Sequence, residues 1–174
     1  MSRVNINAIF VGVDLFTDAD IQEVVGAIQR TRNIYATVGL TVDQVQFWSI
    51  PLGSARGREN IDDDAEAVAL TDEWTVPNHA LDVFFVRTYA GATIGLSRVD
   101  GPCDKNAKGM DGSVVAIEGT SSITELATAH EIAHYLGLDH DGTPGNLMFP
   151  NTGGVGTFLR PDQGANMRDH CFVF

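Results

Sequence analysis

The stretch Ala129-His-Glu-Ile-Ala-His-Tyr-Leu-Gly-Leu-Asp-His140 constrains this chain more than any other. His130 and His134 are four residues apart, so on an α-helix both imidazoles leave one face, a turn apart. Two nitrogens placed in that way can grip one tetrahedral Zn2+ at about 2.0–2.1 Å. Glu131 stands beside the first histidine, within reach of a metal-activated water without being a ligand itself. Gly137 sits where the helix has to stop, because glycine enters the left-handed conformation without a Cβ penalty. The turn that follows lets His140 supply a third nitrogen. Three protein ligands leave one position open, the mark of a catalytic zinc site rather than a structural one. A single helical histidine is ordinarily just a satisfied polar residue. Accidental agreement at every fixed position together, however, is on the order of one chain in a hundred thousand at average residue usage. The zinc reading wins.

The 174 residues suffice for one domain with a real core, and 44% hydrophobic against 20% charged residues are globular values. A net charge of −12, with only 11 scattered basic residues, argues against a nucleic-acid partner. No stretch approaches the length of a membrane span. The first residues alternate apolar positions and run into Asp14, which reads as a strand and not as a signal peptide. Cys103 and Cys171 lack C-x-x-C spacing, so they are either two buried thiols or one disulfide.

Along the chain, Val4 to Val13 reads as a first strand. Thr17 or Asp18 caps a helix to about Val38, with Ile21, Val24, Val25, Ile28, Tyr35 and Val38 as its apolar stripe and Gly39 at its end. A second strand spans Val42 to Ile50, and Gly53 to Asn60 is a loop. Asp62-Asp63-Asp64 opens a helix over Ala65 to Trp74, where capping and solvation are preferred over a Ca2+ site. Further strands are Leu81 to Thr88, Thr93 to Val99 and Ser113 to Ile117, and His79 is a surface loop residue. Ser122 and Glu125 form a capping box for the zinc helix, whose Leu126, Ala129, Ile132, Ala133 and Leu136 face the sheet. Arg160 to His170 reads as a last helix, with His170 complementing its dipole.

The pattern His130-Glu131-x-x-His134-x-x-Gly137-x-x-His140, followed by Asn146-Leu147-Met148-Phe149-Pro150, resembles the signature of metzincin metalloproteases with their methionine turn. Asp141 after the third histidine is similar to the adamalysin (reprolysin) branch. So are Thr93-Ile-Gly-Leu96, Gly101-Pro-Cys103 and Val114-Val-Ala-Ile117. The resemblance implies an α/β (α+β) fold: a twisted mixed sheet of about five strands carrying helices, among them the zinc helix. A small irregular C-terminal part, from about 138 to 174, follows an N-terminal part from 1 to about 137 within one catalytic domain. It implies a Cys103–Cys171 disulfide and hence a secreted protein, although reprolysins usually carry further disulfides absent here. Met148 would pack beneath the zinc histidines, and the region 151–157 would wall the main specificity pocket. Pro150 stands where astacins and serralysins place a tyrosine ligand, so no fourth protein ligand is expected.

The expected function is that of a zinc endopeptidase with one Zn2+ on His130, His134 and His140. Glu131 would act as general base and then pass its proton to the leaving nitrogen. By the same resemblance, a protein or peptide substrate would lie extended against an edge strand at Gly95 and Leu96. The chain is expected to be a monomer. Two other readings compete: a zinc-containing peptide-binding module, and a hydrolase of some non-peptide amide. The intact Glu131 speaks against the first.

Overall fold

Strand β1 (Ser2–Val11) explains the architecture, because it is apolar on both faces. Val4, Ile6, Ala8 and Phe10 enter one apolar cluster, while Ile9 and Val11 enter another. Side chains alternate across a strand, so such a run must be covered on both sides. The computed structural model describes residues 2–117 and 121–174, with the Ser121 side chain set aside. It places β1 inside a five-stranded sheet of order β2-β1-β4-β7-β6, built with β2 (Leu40–Ile50), β4 (Leu81–Val86), β6 (Gly95–Leu96) and β7 (Ser113–Ala116). The pairs β1–β2, β1–β4 and β4–β7 are parallel, and only the edge pair β6–β7 is antiparallel. A small second sheet pairs β3 (Asn60–Ile61) with β5 (Thr88–Tyr89). The mixed α/β sheet expected from the resemblance is present.

Helix α1 (Asp18–Ala36) covers one face together with α4 (Ser121–Tyr135). Thr17 is its cap: the hydroxyl accepts from Asp20 N, and the Asp20 carboxylate accepts from Thr17 N at 2.8 Å. Val24, Ile28 and Tyr35 carry the stripe as expected, but Val25 is 40% exposed. It lies one residue, or about 100°, around the helix from Val24 and turns to solvent. Helix α3 (Asp64–Trp74) covers the other face through Ala67 and Leu70. Burying each large side chain of these layers stabilises the fold by roughly 1.5–3 kcal/mol. Its acidic start serves as a cap, since Asp63 accepts from Glu66 N and Asp64 accepts from the Tyr89 hydroxyl at 2.7 Å.

Several boundaries differ from expectation. The strand read over Thr93 to Val99 shrinks to Gly95–Leu96, paired with Val115 and Val114 of β7. On either side of it contact with β7 continues through Ala116 N to Ile94 O at 2.8 Å and through the Ser97 and Ser113 hydroxyls at 2.9 Å. The loop read from Gly53 contains part of a short helix, α2 (Leu52–Ala55). Ser122 lies inside α4 rather than capping it, and the residues just before α4 are outside the described ones. The last helix, α5, is Pro161–Arg168 with Arg160 as its cap. His170 is a buried tether rather than a dipole partner: its Nδ1 accepts from Phe172 N, and its Nε2 donates to Gly101 O at 3.0 Å. His79 is exposed, 5.4 Å from the Phe172 ring. Among the described residues no helix is long and apolar enough to cross a membrane.

Cys103 and Cys171 are joined in a disulfide, with Cα atoms 5.9 Å apart and 68 residues of separation. It fastens the segment 100–103 to the C-terminal tail, which in turn pairs with β1 through Arg3 N to Phe174 O at 2.8 Å. Beside it, Lys105 pairs at 2.8 Å with Asp82, a fully buried carboxylate that Asn7, Thr75 and Val76 also bind. Closing a loop of this length constrains the unfolded chain by about 4 kcal/mol. Replacing both cysteines with serine is therefore expected to lower the unfolding midpoint by about 10 °C, followed by circular dichroism. An unchanged midpoint would mean that the hydrogen bonds of the tail suffice alone.

Candidate metal centre

From Thr128 to its end, helix α4 is buried nearly all round. Thr128, Ala129, Ile132, Ala133 and Leu136 pack inward, and the Tyr35 hydroxyl of α1 donates to Ala129 O at 2.7 Å. The helix ends in a Schellman turn: Leu138 N bonds Ala133 O at 3.0 Å and Gly137 N bonds His134 O at 2.9 Å. Gly137 has φ +98°, a conformation that a residue with a Cβ adopts only with strain. The terminal carbonyls are capped from outside as well, by Asp100 N on His134 O and Gly101 N on Tyr135 O. The expectation that Gly137 stops the helix and redirects the chain matches this geometry.

The redirected chain brings His140 to His130 and His134. One nitrogen from each imidazole lies within 4.8 Å of the others, and His134 Nε2 is 3.2 Å from His140 Nε2. Backbone carbonyls set the tautomers. His130 Nδ1–H donates to Leu147 O at 2.7 Å, and His134 Nδ1–H donates to Leu138 O at 2.6 Å. A carbonyl can only accept, so the Nε2 atom of each ring is left with its lone pair. Two nitrogens on one tetrahedral Zn2+ stand about 3.3 Å apart, which follows from bonds of 2.0–2.1 Å. The donor set fits zinc. Burial lowers the pKa of His130, and burial followed by the His130 charge lowers that of His134 to about 4. Both rings are thus held neutral, as ligation requires.

The other side of the site is carried by the turn at Met148. Met148 is fully buried in the same apolar cluster as Ala129 and Leu136, and its carbonyl accepts from Asp141 N at 2.8 Å. The Asp141 carboxylate is bound by Arg160 and by Thr143 N, which hold its pKa down at about 2. Asn146, fully buried, accepts from Met148 N and donates to Gln163 Oε1 at 2.9 Å. The turn after His140, the methionine turn and the start of α5 are therefore one hydrogen-bonded unit.

Glu131 is 8% exposed and faces a cleft of about 670 Å³ that His130, His140 and Gly95 also line. Burial pushes its carboxyl pKa up to about 8, a shift that a cation on the three imidazoles would oppose. The rest of the lining is mostly apolar, including Ile94, Ile123, Leu126, Phe149 and Val155. Leu126, read as facing the sheet, does pack against the core cluster beneath α4, and being half-buried it also lines the cleft. Sequence reasoning missed this wall, although Ile123, Leu126, Ala127 and His130 sit at the helical spacing i, i+3, i+4 and i+7 that marks a second apolar face. Asn151, Thr152 and Val155 line the same cleft, where the resemblance put the pocket wall. Of the two residues read as substrate-binding, only Gly95 reaches it. The Leu96 side chain packs instead into the α3-side cluster.

Comparison with known proteins agrees with this geometry. The model of metallo-peptidase family M12B, reprolysin-like, matches residues 19–141, a span from α1 through His140. Human disintegrin and metalloproteinase domain-containing protein 33 is 30% identical over 108 residues, covering 56% of this chain and 13% of that protein. Metalloproteinase-II from Bacteroides fragilis superposes with a TM-score of 0.69 at 16% identity, covering 97% of this chain and 52% of that one. A chain from a chaperone–substrate complex superposes with a TM-score of 0.61 at 15% identity, over 93% of this chain and 34% of that one. At such identities the superpositions speak for the fold alone. This chain thus spans about half of the bacterial structure and a small part of the human relative. The family match takes in most of the sequence and every residue of the histidine motif, so the chain belongs to the reprolysin-like metallo-peptidases of family M12B.

Proposed function

We propose that this chain is a zinc-dependent endopeptidase of the metzincin type. The observation that carries the reading is the convergence of His130, His134 and His140 within 4.8 Å beside the cleft-facing Glu131. His130, His134 and His140 would hold the metal, with the first two oriented through their Nδ1 hydrogen bonds. When bound, zinc supplies Lewis acidity that makes water a nucleophile at neutral pH and polarises a carbonyl oxygen. Glu131, next to the metal ligands and shielded from bulk water, accepts the proton of the attacking water and returns it to the leaving nitrogen. An extended peptide runs along β6 at Gly95 and Leu96, backbone to backbone, and sets an apolar side chain among Leu126, Phe149 and Val155. The parts before and after residue 137 flank the cleft as one catalytic domain. The disulfide fits a secreted protein.

The test is incubation with an unfolded protein and a mixed peptide library, with elemental analysis of the same sample. One zinc per chain, cleavage at internal bonds, loss of cleavage on chelation and its return on adding zinc are expected. One firmly held zinc with no cleavage of any peptide would sink the endopeptidase reading.

A further inference from the structure

Gly95 is built into the site in a way that its place on an edge strand does not require. A Cβ on Gly95 would lie 2.6 Å from Glu131 Cγ, 3.0 Å from Glu131 Cδ and 2.9 Å from Val114 O. Real side-chain carbons do not come so close, because repulsion rises steeply inside van der Waals contact. Val114 O belongs to the backbone of β7, which is fixed by pairing with β4 on one side and β6 on the other. The strand therefore has no room to recede. The stem of Glu131 fills the volume that any side chain at position 95 would occupy.

Among the described residues no group hydrogen-bonds the Glu131 carboxylate. Packing of its methylenes is left to decide where the carboxylate points. We propose that Gly95 is a positioning residue for Glu131: its missing side chain is the slot that aims the carboxylate into the cleft. The inference rests on the reading of Glu131 as the general base. It assigns position 95 a steric role distinct from any backbone contact to substrate.

The experiment combines kinetics with a thermal double-mutant cycle on the as-purified protein. Gly95→Ala is expected to keep one zinc per chain and a KM within about threefold of wild type. Its kcat should fall about a hundredfold, the scale of a misplacement near 1 Å. Added to Glu131→Gln, the same change should leave the residual rate nearly untouched. Gly95→Ala should also lower the unfolding midpoint by several degrees in the wild-type background, and by less when combined with Glu131→Ala, which removes the opposing stem and leaves only the contact with Val114 O. If Gly95→Ala alone does not fold but the double variant does, the steric account stands. Failure of both to fold overturns it. Equal thermal losses in the two backgrounds, or a raised KM with unchanged kcat, would also overturn it. The thermal cycle needs no turnover, so a wild type that cleaves nothing would refute the endopeptidase reading while still reporting on this contact.

Discussion

Glu131→Gln is expected to keep one zinc per chain, fold like the wild type and cleave peptides on the order of a thousandfold more slowly. The substitution preserves the size and stem of the side chain, so its packing against Gly95 survives. It removes only the ability to take a proton, and general-base catalysis contributes typically about a hundred- to ten-thousandfold. The histidines are unaffected, since their orienting partners are Leu138 O and Leu147 O. Zinc content, circular dichroism and a progress curve on one peptide check all three statements. A variant that cleaves as fast as wild type would remove Glu131 from the mechanism.

His134→Ala is expected to abolish both zinc retention and peptidase activity. His134 lies between its two partners, with ring centroids 4.6 Å from His130 and 4.7 Å from His140. Its loss leaves two donors for a metal that takes three protein ligands in sites of this kind. The fold is also touched, because Leu138 O loses its side-chain donor at the end of α4, at a cost of about 1–3 kcal/mol if water does not replace it. Wild type should gain about 4 kcal/mol of stability at a thousandfold excess of zinc over its Kd, and the variant should gain almost none. Thermal unfolding with and without added zinc separates the two. Equal zinc-induced shifts in both proteins would mean that the three imidazoles do not share a metal.

The histidine cluster was legible because helical periodicity alone puts His130 and His134 on one face, and because a glycine at 137 can mean little but a turn. The strands β1 and β4 were legible from their largely apolar runs, whereas the mixed sheet that they join was expected from the family resemblance. Other features depend on partners that no residue letter announces. Val25 and Val24 look alike in sequence and differ only by which side of α1 meets α4. His170 reads as a helix-end cation until the tail folds back on Gly101 O. Asp82, inside a strand, is tolerable there only because Asn7, Thr75 and Lys105 arrive from elsewhere. The cleft wall was hidden because residues such as Leu126 and Ala127 serve both the core cluster and the cleft, and the letters announce only the first.

The two carbonyls that orient the histidines come from separate turns, at Leu138 and at Leu147. Ring orientation is thereby written in the main chain, where exchange of one amino acid for another cannot delete the acceptor. The site is shielded against point mutation at those two positions in a way that a carboxylate acceptor never is. What it depends on instead is chain length. One residue added or lost between Leu138 and Leu147 would shift the second acceptor out of register with the His130 ring, so the site tolerates a change of letter there better than a change of spacing.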